Sequence, residues 1–304
     1  MSRFKERIIH PLEYALFRVV MALVVVCPHR AARLLGRGLG TAAWGVLGVR
    51  RKEVLASLGL AFPEKSPAEL AGIGACCYRS LGEFFIEMFR IHRLSTDWMQ
   101  RHIDFQGREV LDSALAGGRG VINVTFHYGN WELMGAFAAR LGYPLDVIAR
   151  SQQNRFFQRY VAAAREACGM RLFPVSASPG KVARSLREGR IVSFLADQDS
   201  HHQGVFVDFL GRPASTPKGP ALFAHKTGAP VVLSLMIPRG DGKYTLRFEP
   251  VPRPETGNRE EFIFRMTAYF TGRLAEQVRS RPEYWFWPHR RWKTRPPDSP
   301  AGAC

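Results

Sequence analysis

The stretch GVINVTFHYGNWELMG, residues 120–135, carries His127 and Glu132 in the spacing His-x4-Glu. An imidazole is a general base near neutral pH when one ring nitrogen is tied to an acceptor and the other keeps its lone pair. On one continuous helix five residues turn by about 500°, so the two side chains would not share a face. They can meet if His127 lies in a turn and Glu132 on the first helical turn after it. Gly129 makes such a turn easy. No Cys or Ser flanks His127 as a nucleophile, so the base would act directly on a substrate hydroxyl. The bare spacing also describes a structural histidine followed by an unrelated surface glutamate.

Three further clusters fall where strands should end. Arg150 could bind phosphate or carboxylate, or steady a developing oxyanion, with Asn154 opening the next helix; a surface arginine beside a helix cap has the same pattern. Asp197-Gln198-Asp199, followed by His201 and His202, fits a divalent-metal and nucleotide-sugar site, and equally a plain turn. Thr216-Pro217-Lys218 reads as an N-cap, a proline at N1 and a cation beside exposed N–H groups, hence an anion site or simply a capped helix.

These residues need a frame. Strand patterns at 121–126, 145–149, 171–175, 191–196 and 231–237 alternate with helix patterns at 131–141, 156–168, 181–188 and 217–226. Another strand is expected at 243–249. Asn258 should cap a long helix, with Glu261 in the capping-box position. Such alternation predicts an α/β fold with a mainly parallel central sheet covered on both faces, and a histidine at the carboxyl end of a strand is where such folds place chemistry. Between the start of the alternation and the N-terminus, 50–93 reads as two helices separated by Pro63 and Pro67. The second carries Phe84, Phe85, Met88 and Phe89 at helical spacing, as core packing or as the wall of an apolar groove.

Of 304 residues, 43 are Lys or Arg and 26 are Asp or Glu, a net charge of +17 that suits a polyanionic partner or a generally basic, soluble surface. Five cysteines without CxxC spacing argue against a disulfide framework or a zinc site and suit a reducing compartment. Residues 12–27, LEYALFRVVMALVVVC, are apolar but short for a span, interrupted by Glu13 and Arg18, and followed by no small-residue cleavage site. They read as an uncleaved helix lying in or dipping into a membrane, or as a buried core helix.

VTFHYGNWELMG, IARSQQN, LREGRIVSFLADQD, FVDFLGRPASTPKGPALFAHKTGAPVV and PEYWFWPHRRWKTRP occur in an order that resembles the bacterial lipid A biosynthesis acyltransferases, the lauroyl and myristoyl transferases of the lysophospholipid acyltransferase superfamily. The resemblance covers most of the chain. It implies a glycerol-3-phosphate acyltransferase-like α/β core at 118–295, a membrane-associating helix at 1–30, a helical region at 31–117 packed on the core, and a disordered tail at 296–304. It implies that His127, supported by Glu132, deprotonates an acceptor hydroxyl that attacks an acyl thioester, with Arg150 stabilising the oxyanion or holding the donor. Asp197 and Asp199 then support the site without a metal, and no cofactor is implied. Asn154 and Lys218 are expected among the substrate-binding residues, and Phe84, Phe85 and Met88 along an acyl groove.

The resemblance further implies acyl carrier protein as donor, an acidic partner for a basic chain, and a glycolipid acceptor: a lipid A precursor, a mannosylated phosphatidylinositol or another membrane lipid. It places the enzyme on the cytoplasmic face of the bacterial inner membrane. His289, Arg290, Arg291, Lys293 and Arg295, interleaved with Trp285, Trp287 and Trp292, then read as a membrane-interface block rather than a nucleic-acid patch. A metal-dependent glycosyltransferase using Asp197 and Asp199 and a non-catalytic lipid binder are the contrasting readings.

Overall fold

The computed structural model describes residues 10–149, 154–174 and 179–297. Four helices come first: α1 (His10–Val26), α2 (His29–Gly45), α3 (Arg51–Ala61) and α4 (Pro67–Arg90). α5 (Thr96–His102), β1 (Ile103–Gln106) and α6 (Arg108–Ala116) lead into the alternating part. This runs β2 (Val121–Thr125), α7 (Trp131–Arg140), β3 (Leu145–Ala149), α8 (Arg155–Glu166), β4 (Arg171–Pro174), α9 (Pro179–Arg187) and β5 (Ile191–Leu195). A hairpin of β6 (Val205–Phe209) and β7 (Arg212–Thr216) follows, then α10 (Gly219–Thr227), β8 (Val231–Pro238), β9 (Tyr244–Val251) and α11 (Arg259–Ser280).

Seven strands form one sheet in the order β1-β9-β8-β2-β5-β3-β4. β8, β2, β5, β3 and β4 are parallel, β9 is antiparallel to β8, and β1 is parallel to β9. The expected α/β class with a mainly parallel sheet is therefore present. Every residue of β2 is buried, as a strand covered on both faces requires. Two features depart from expectation. The stretch 31–117 contributes β1 as an edge strand, and 205–216, between the strand pattern at 191–196 and the helix pattern at 217–226, is the β6–β7 hairpin.

Local chemistry explains the helix ends. Ser66 and Glu69 form a capping box around Pro67 at the start of α4. At α11, Asn258 accepts from the Glu260 and Glu261 N–H groups, but the Glu261 carboxylate accepts from Thr256 Oγ1 at 2.6 Å, so the reciprocal half of the expected box is not made. α10 begins at Gly219, with Pro220 in its first turn. Thr216 ends β7 instead of capping the helix, because its hydroxyl accepts from the Arg291 guanidinium.

α1 packs Phe17, Met21 and Val24 against Ile86 and Phe89 of α4 and against Phe157 and Tyr160 of α8. Among the described residues no helix is long and apolar enough to cross a membrane. The C-terminal block also corrects the sequence reading. Trp285, Trp287 and Arg291 are among the most deeply buried side chains, and Trp292 is half-buried against Phe209, so these groups are core rather than an interface belt.

Candidate active site

β2 and β5 are neighbours in parallel register, with Thr125 opposite Leu195. Two residues further on, the same register brings His127 opposite Asp197. The Asp197 carboxylate receives His127 Nδ1 at 2.8 Å on Oδ1 and the His127 backbone N–H at 3.0 Å on Oδ2. The Trp285 indole N–H donates to Oδ2 at 2.9 Å. The turn carrying His127 is held from outside the sheet. Phe286 N–H donates to the His127 carbonyl at 3.0 Å, and Gly129 N–H donates to the Tyr284 carbonyl at 2.9 Å. Gly129 has φ +61°, and a Cβ there would lie 1.8 Å from the Met236 carbonyl oxygen, so only glycine fits.

Asp197 is 2% exposed. Burial alone would raise its pKa, but the charge and hydrogen bond of His127 and the indole and backbone N–H groups outweigh it, and the net shift is downward. Asp197 is therefore a carboxylate that can only accept. His127 Nδ1 must carry a proton, which leaves the lone pair on Nε2. The Gln198 side-chain nitrogen lies 3.4 Å from that Nε2. The rings of Trp131 and Phe286 stand 5.0 and 6.0 Å from the imidazole and restrict water around it.

Glu132 does not touch the imidazole. Its carboxylate is buried and takes a two-pronged bond from Arg165 of α8, at 2.9 and 2.6 Å. The expectation that Glu132 fixes the tautomer is thus corrected. From the first turn of α7 its side chain reaches α8, whereas Asp197 already occupies Nδ1 through the strand register. Asn130, between the two, caps α7 by accepting from Leu133 N–H at 2.9 Å, and its amide donates to buried Glu87 at 2.6 Å. Burial opposes ionisation of Glu87, but His29, Arg33 and Tyr244 hold its pKa below the ordinary value.

The other expected site residues divide. Asp199 lies beside the dyad. Its N–H donates to His289 Nε2 at 2.7 Å, and its carboxylate accepts from Thr294 Oγ1 at 2.9 Å. Asp197 is thus engaged at both oxygens and Asp199 at Oδ2, while the buried Oδ1 of Asp199 has no hydrogen-bond partner among the described residues, which hold no cluster of three or more His, Cys, Asp or Glu shaped for a metal. Asn154 is a helix cap that accepts from Phe156 and Phe157 N–H, while its amide donates to the His10 carbonyl and Glu13 of α1. That commitment, not a place beside His127, is what the structure gives it. Lys218 is exposed at the start of α10, with no contact to the dyad. Arg150 lies outside the described residues.

Phe84 and Met88 are buried and Phe85 is partly exposed. Phe84 stacks 3.9 Å from Trp131, so an aromatic wall runs from His127 through Trp131 and Phe84 to Phe85. The residues that sequence reasoning missed are Trp285, Phe286, Gln198 and Asn130. The only signal for the first two is the aromatic run WFW, whose composition suits a membrane interface equally well.

Residues 1–294 match the family model described as bacterial lipid A biosynthesis acyltransferase. The chain is 29% identical over 220 residues to the phosphatidylinositol mannoside acyltransferase of Mycobacterium tuberculosis (strain ATCC 25618 / H37Rv), covering 70% of this chain and 68% of that protein. It is 25% identical to the lipid A biosynthesis palmitoleoyltransferase of Escherichia coli (strain K12), covering 97% and 96% of the two chains. With the lauroyltransferase of the same strain the identity is 26%, over 99% and 98%. A parallel sheet presenting a histidine–aspartate pair, matched by this family over nearly the whole sequence, makes the chain an O-acyltransferase that belongs to the bacterial lipid A biosynthesis acyltransferase family.

Proposed function

We propose that the enzyme moves a fatty acyl chain from an acyl thioester, carried by acyl carrier protein, to a hydroxyl of a membrane glycolipid. His127 is the general base and Asp197 orients it. Nε2 takes the proton of the acceptor hydroxyl as its oxygen attacks the thioester carbonyl. The tetrahedral intermediate collapses with loss of thiolate, which takes the proton back from the imidazolium. The product is an ester and a free thiol. The Gln198 amide, beside Nε2, is a donor for the acceptor hydroxyl or the developing oxyanion. Arg150 remains a candidate for the same oxyanion, and Asp199 braces the site through the C-terminal segment.

The single observation that carries this reading is the dyad: a buried carboxylate on Nδ1, which leaves the lone pair on Nε2, facing the Gln198 amide. The Trp131–Phe84–Phe85 wall, with Met88 behind it, supports an acyl groove that starts at the imidazole. A cavity beneath α7, lined by Met134, Gly135, Leu145 and Met170, holds only about 50 Å³, too little for an acyl chain without displacing its walls. The +17 charge supports docking of an acidic carrier and an anionic membrane. The relatives' names favour a lipid A precursor or a phosphatidylinositol mannoside as acceptor, and the basic chain suits the anionic cytoplasmic face of the inner membrane.

The test is mass spectrometry of total lipids from cells expressing the chain or His127→Ala. A lipid that gains one acyl chain only with the intact histidine supports the reading, and its mass names acceptor and chain length. Equal acylation by folded His127→Ala would end it.

A further inference from the structure

α2 buries one side and leaves the other open. Ala32, Gly36, Gly40 and Trp44 form its buried row. The packing against α4 is backbone to backbone: a Cβ on Gly82 would lie 2.0 Å from the Gly36 carbonyl oxygen, and one on Gly40 would lie 2.0 Å from that of Tyr78. α2 therefore cannot roll to hide its other side. That side carries Leu34, Leu35, Leu39 and Val46, and the following turn adds Leu47 and Val49, all exposed, with Leu34 at 66% and Val46 at 83%. At 100° per residue, Ala31, Leu34, Leu35, Gly38, Leu39, Thr41, Ala42 and Gly45 sweep roughly half the helix circumference without one charge. The arginines of α2 lie together on one flank: Arg30, Arg33 and Arg37.

A fixed, exposed, uncharged helix face is costly in water unless something covers it. Charge tells what covers it. Between Glu13 and Glu53 there is no acidic residue, and there are seven basic ones: Arg18, Arg30, Arg33, Arg37, Arg50, Arg51 and Lys52. Arg33 and Arg37 pair with Glu83, while Arg30, Arg50 and Lys52 have no ion-pair partner among the described residues. A second copy seated here would bring basic flanks together with no acidic counterpart.

We propose that the outer face of α2, with the turn at 46–50, seats the enzyme in the plane of an anionic lipid bilayer. The leucines and valines enter the acyl boundary, and Arg30, Arg50 and Lys52 meet headgroup phosphates. This rests on the reading that the acceptor is a membrane lipid, but it assigns the contact to α2 rather than to residues 1–30 alone.

The experiment is flotation of the full chain with vesicles of phosphatidylethanolamine and phosphatidylglycerol, and with phosphatidylcholine alone. Leu35→Glu/Leu39→Glu is expected to lower the partition coefficient roughly tenfold or more. Phe264→Glu, at an exposed aromatic on α11, should leave it unchanged. Arg30→Gln should weaken binding to the anionic vesicles roughly fivefold and barely change the neutral ones. Melting curves verify folding, and Leu35→Ser/Leu39→Ser carries the same test if the charged pair melts early. Unchanged flotation, no flotation of the wild type, or a lipid-free dimer that the double variant splits would overturn the proposal. Turnover with a detergent-dispersed acceptor separates the two readings. Its loss in the wild type would sink the acyl-transfer reaction and leave the membrane seat standing.

Discussion

Replacing Asp197 by Asn distinguishes the observed dyad from the motif-based pair. Three N–H groups converge on the Asp197 carboxylate: His127 Nδ1 on one oxygen, His127 N and Trp285 Nε1 on the other. An asparagine can keep its carbonyl oxygen towards the latter two. Its NH₂ then faces Nδ1, so the imidazole must turn that lone pair to it and carry its proton on Nε2. The base is lost while the fold is kept. A wrong tautomer of this kind costs a serine-protease triad about 10⁴-fold, and we expect kcat/KM here to fall about 10³- to 10⁴-fold, or roughly 4–5 kcal/mol of barrier. Stability should fall by only about 1–2 kcal/mol, because the charge-assisted bonds become neutral ones. Glu132→Gln should do the reverse. It strips the buried Arg165 of its counter-charge, costing about 3 kcal/mol of stability, with kcat/KM within about tenfold of wild type wherever the protein is folded. Glu132→Gln/Arg165→Met should recover much of the melting temperature. The assay is ester formation by purified enzyme from an acyl thioester and a lipid hydroxyl, with thermal melts in parallel. A folded Glu132→Gln that loses three orders of magnitude, beside an Asp197→Asn within tenfold of wild type, would refute the reasoning.

Trp285→Phe removes one donor from Asp197 but keeps a ring against Phe209 and Trp287, so kcat should drop roughly tenfold. An unchanged kcat would reduce Trp285 to packing. His289 accepts the Asp199 N–H, and burial pushes its pKa down to about 4. The unfolded chain binds the proton first, so this contribution is full above about pH 6.5 and is lost as pH falls towards 4, by at most about 3 kcal/mol. His289→Gln should flatten the melting temperature across that window, and an unchanged slope would assign it to other groups. Gly129→Ala forces a Cβ into the Met236 carbonyl at positive φ, so either folding or activity should be lost; an active, wild-type-stable variant would mean the turn is misdescribed.

How much of this was legible in the sequence follows from the range of each interaction. The strand–helix alternation is local, and 121–126, 145–149 and 191–196 became β2, β3 and β5 within a residue at their ends. β1 is four residues long, and β6 and β7 are five each, divided by Leu210 and Gly211 and with Pro213 inside β7, so none of them gave a periodic signal. His127 was also legible, as a histidine at the carboxyl end of a buried strand. Its partner was not, although Asp197 stood in view at the end of another strand. Local patterns place a residue at a strand's end but do not say which strands are neighbours, and β2 and β5 are adjacent in space with three helices, α7, α8 and α9, between them in sequence. Proximity in sequence therefore favoured Glu132, five residues away, over Asp197, seventy away. Trp285 and Arg291 misled for a related reason. A basic, aromatic run looks like surface because charge is costly to bury, yet the Arg291 guanidinium is buried with the Ser215 carbonyl at 2.6 Å and the Phe209 ring beneath it. With burial pulling its pKa down to about 10, that arginine can be accommodated only where a carbonyl, a hydroxyl and the nearby carboxylates of Asp197 and Asp199 are already in place. The segment from Trp285 to Thr294 is thus fastened to Asp197, which orients the base, through Trp285, and to Asp199 through His289 and Thr294, so the C-terminal turn and the dyad brace one another.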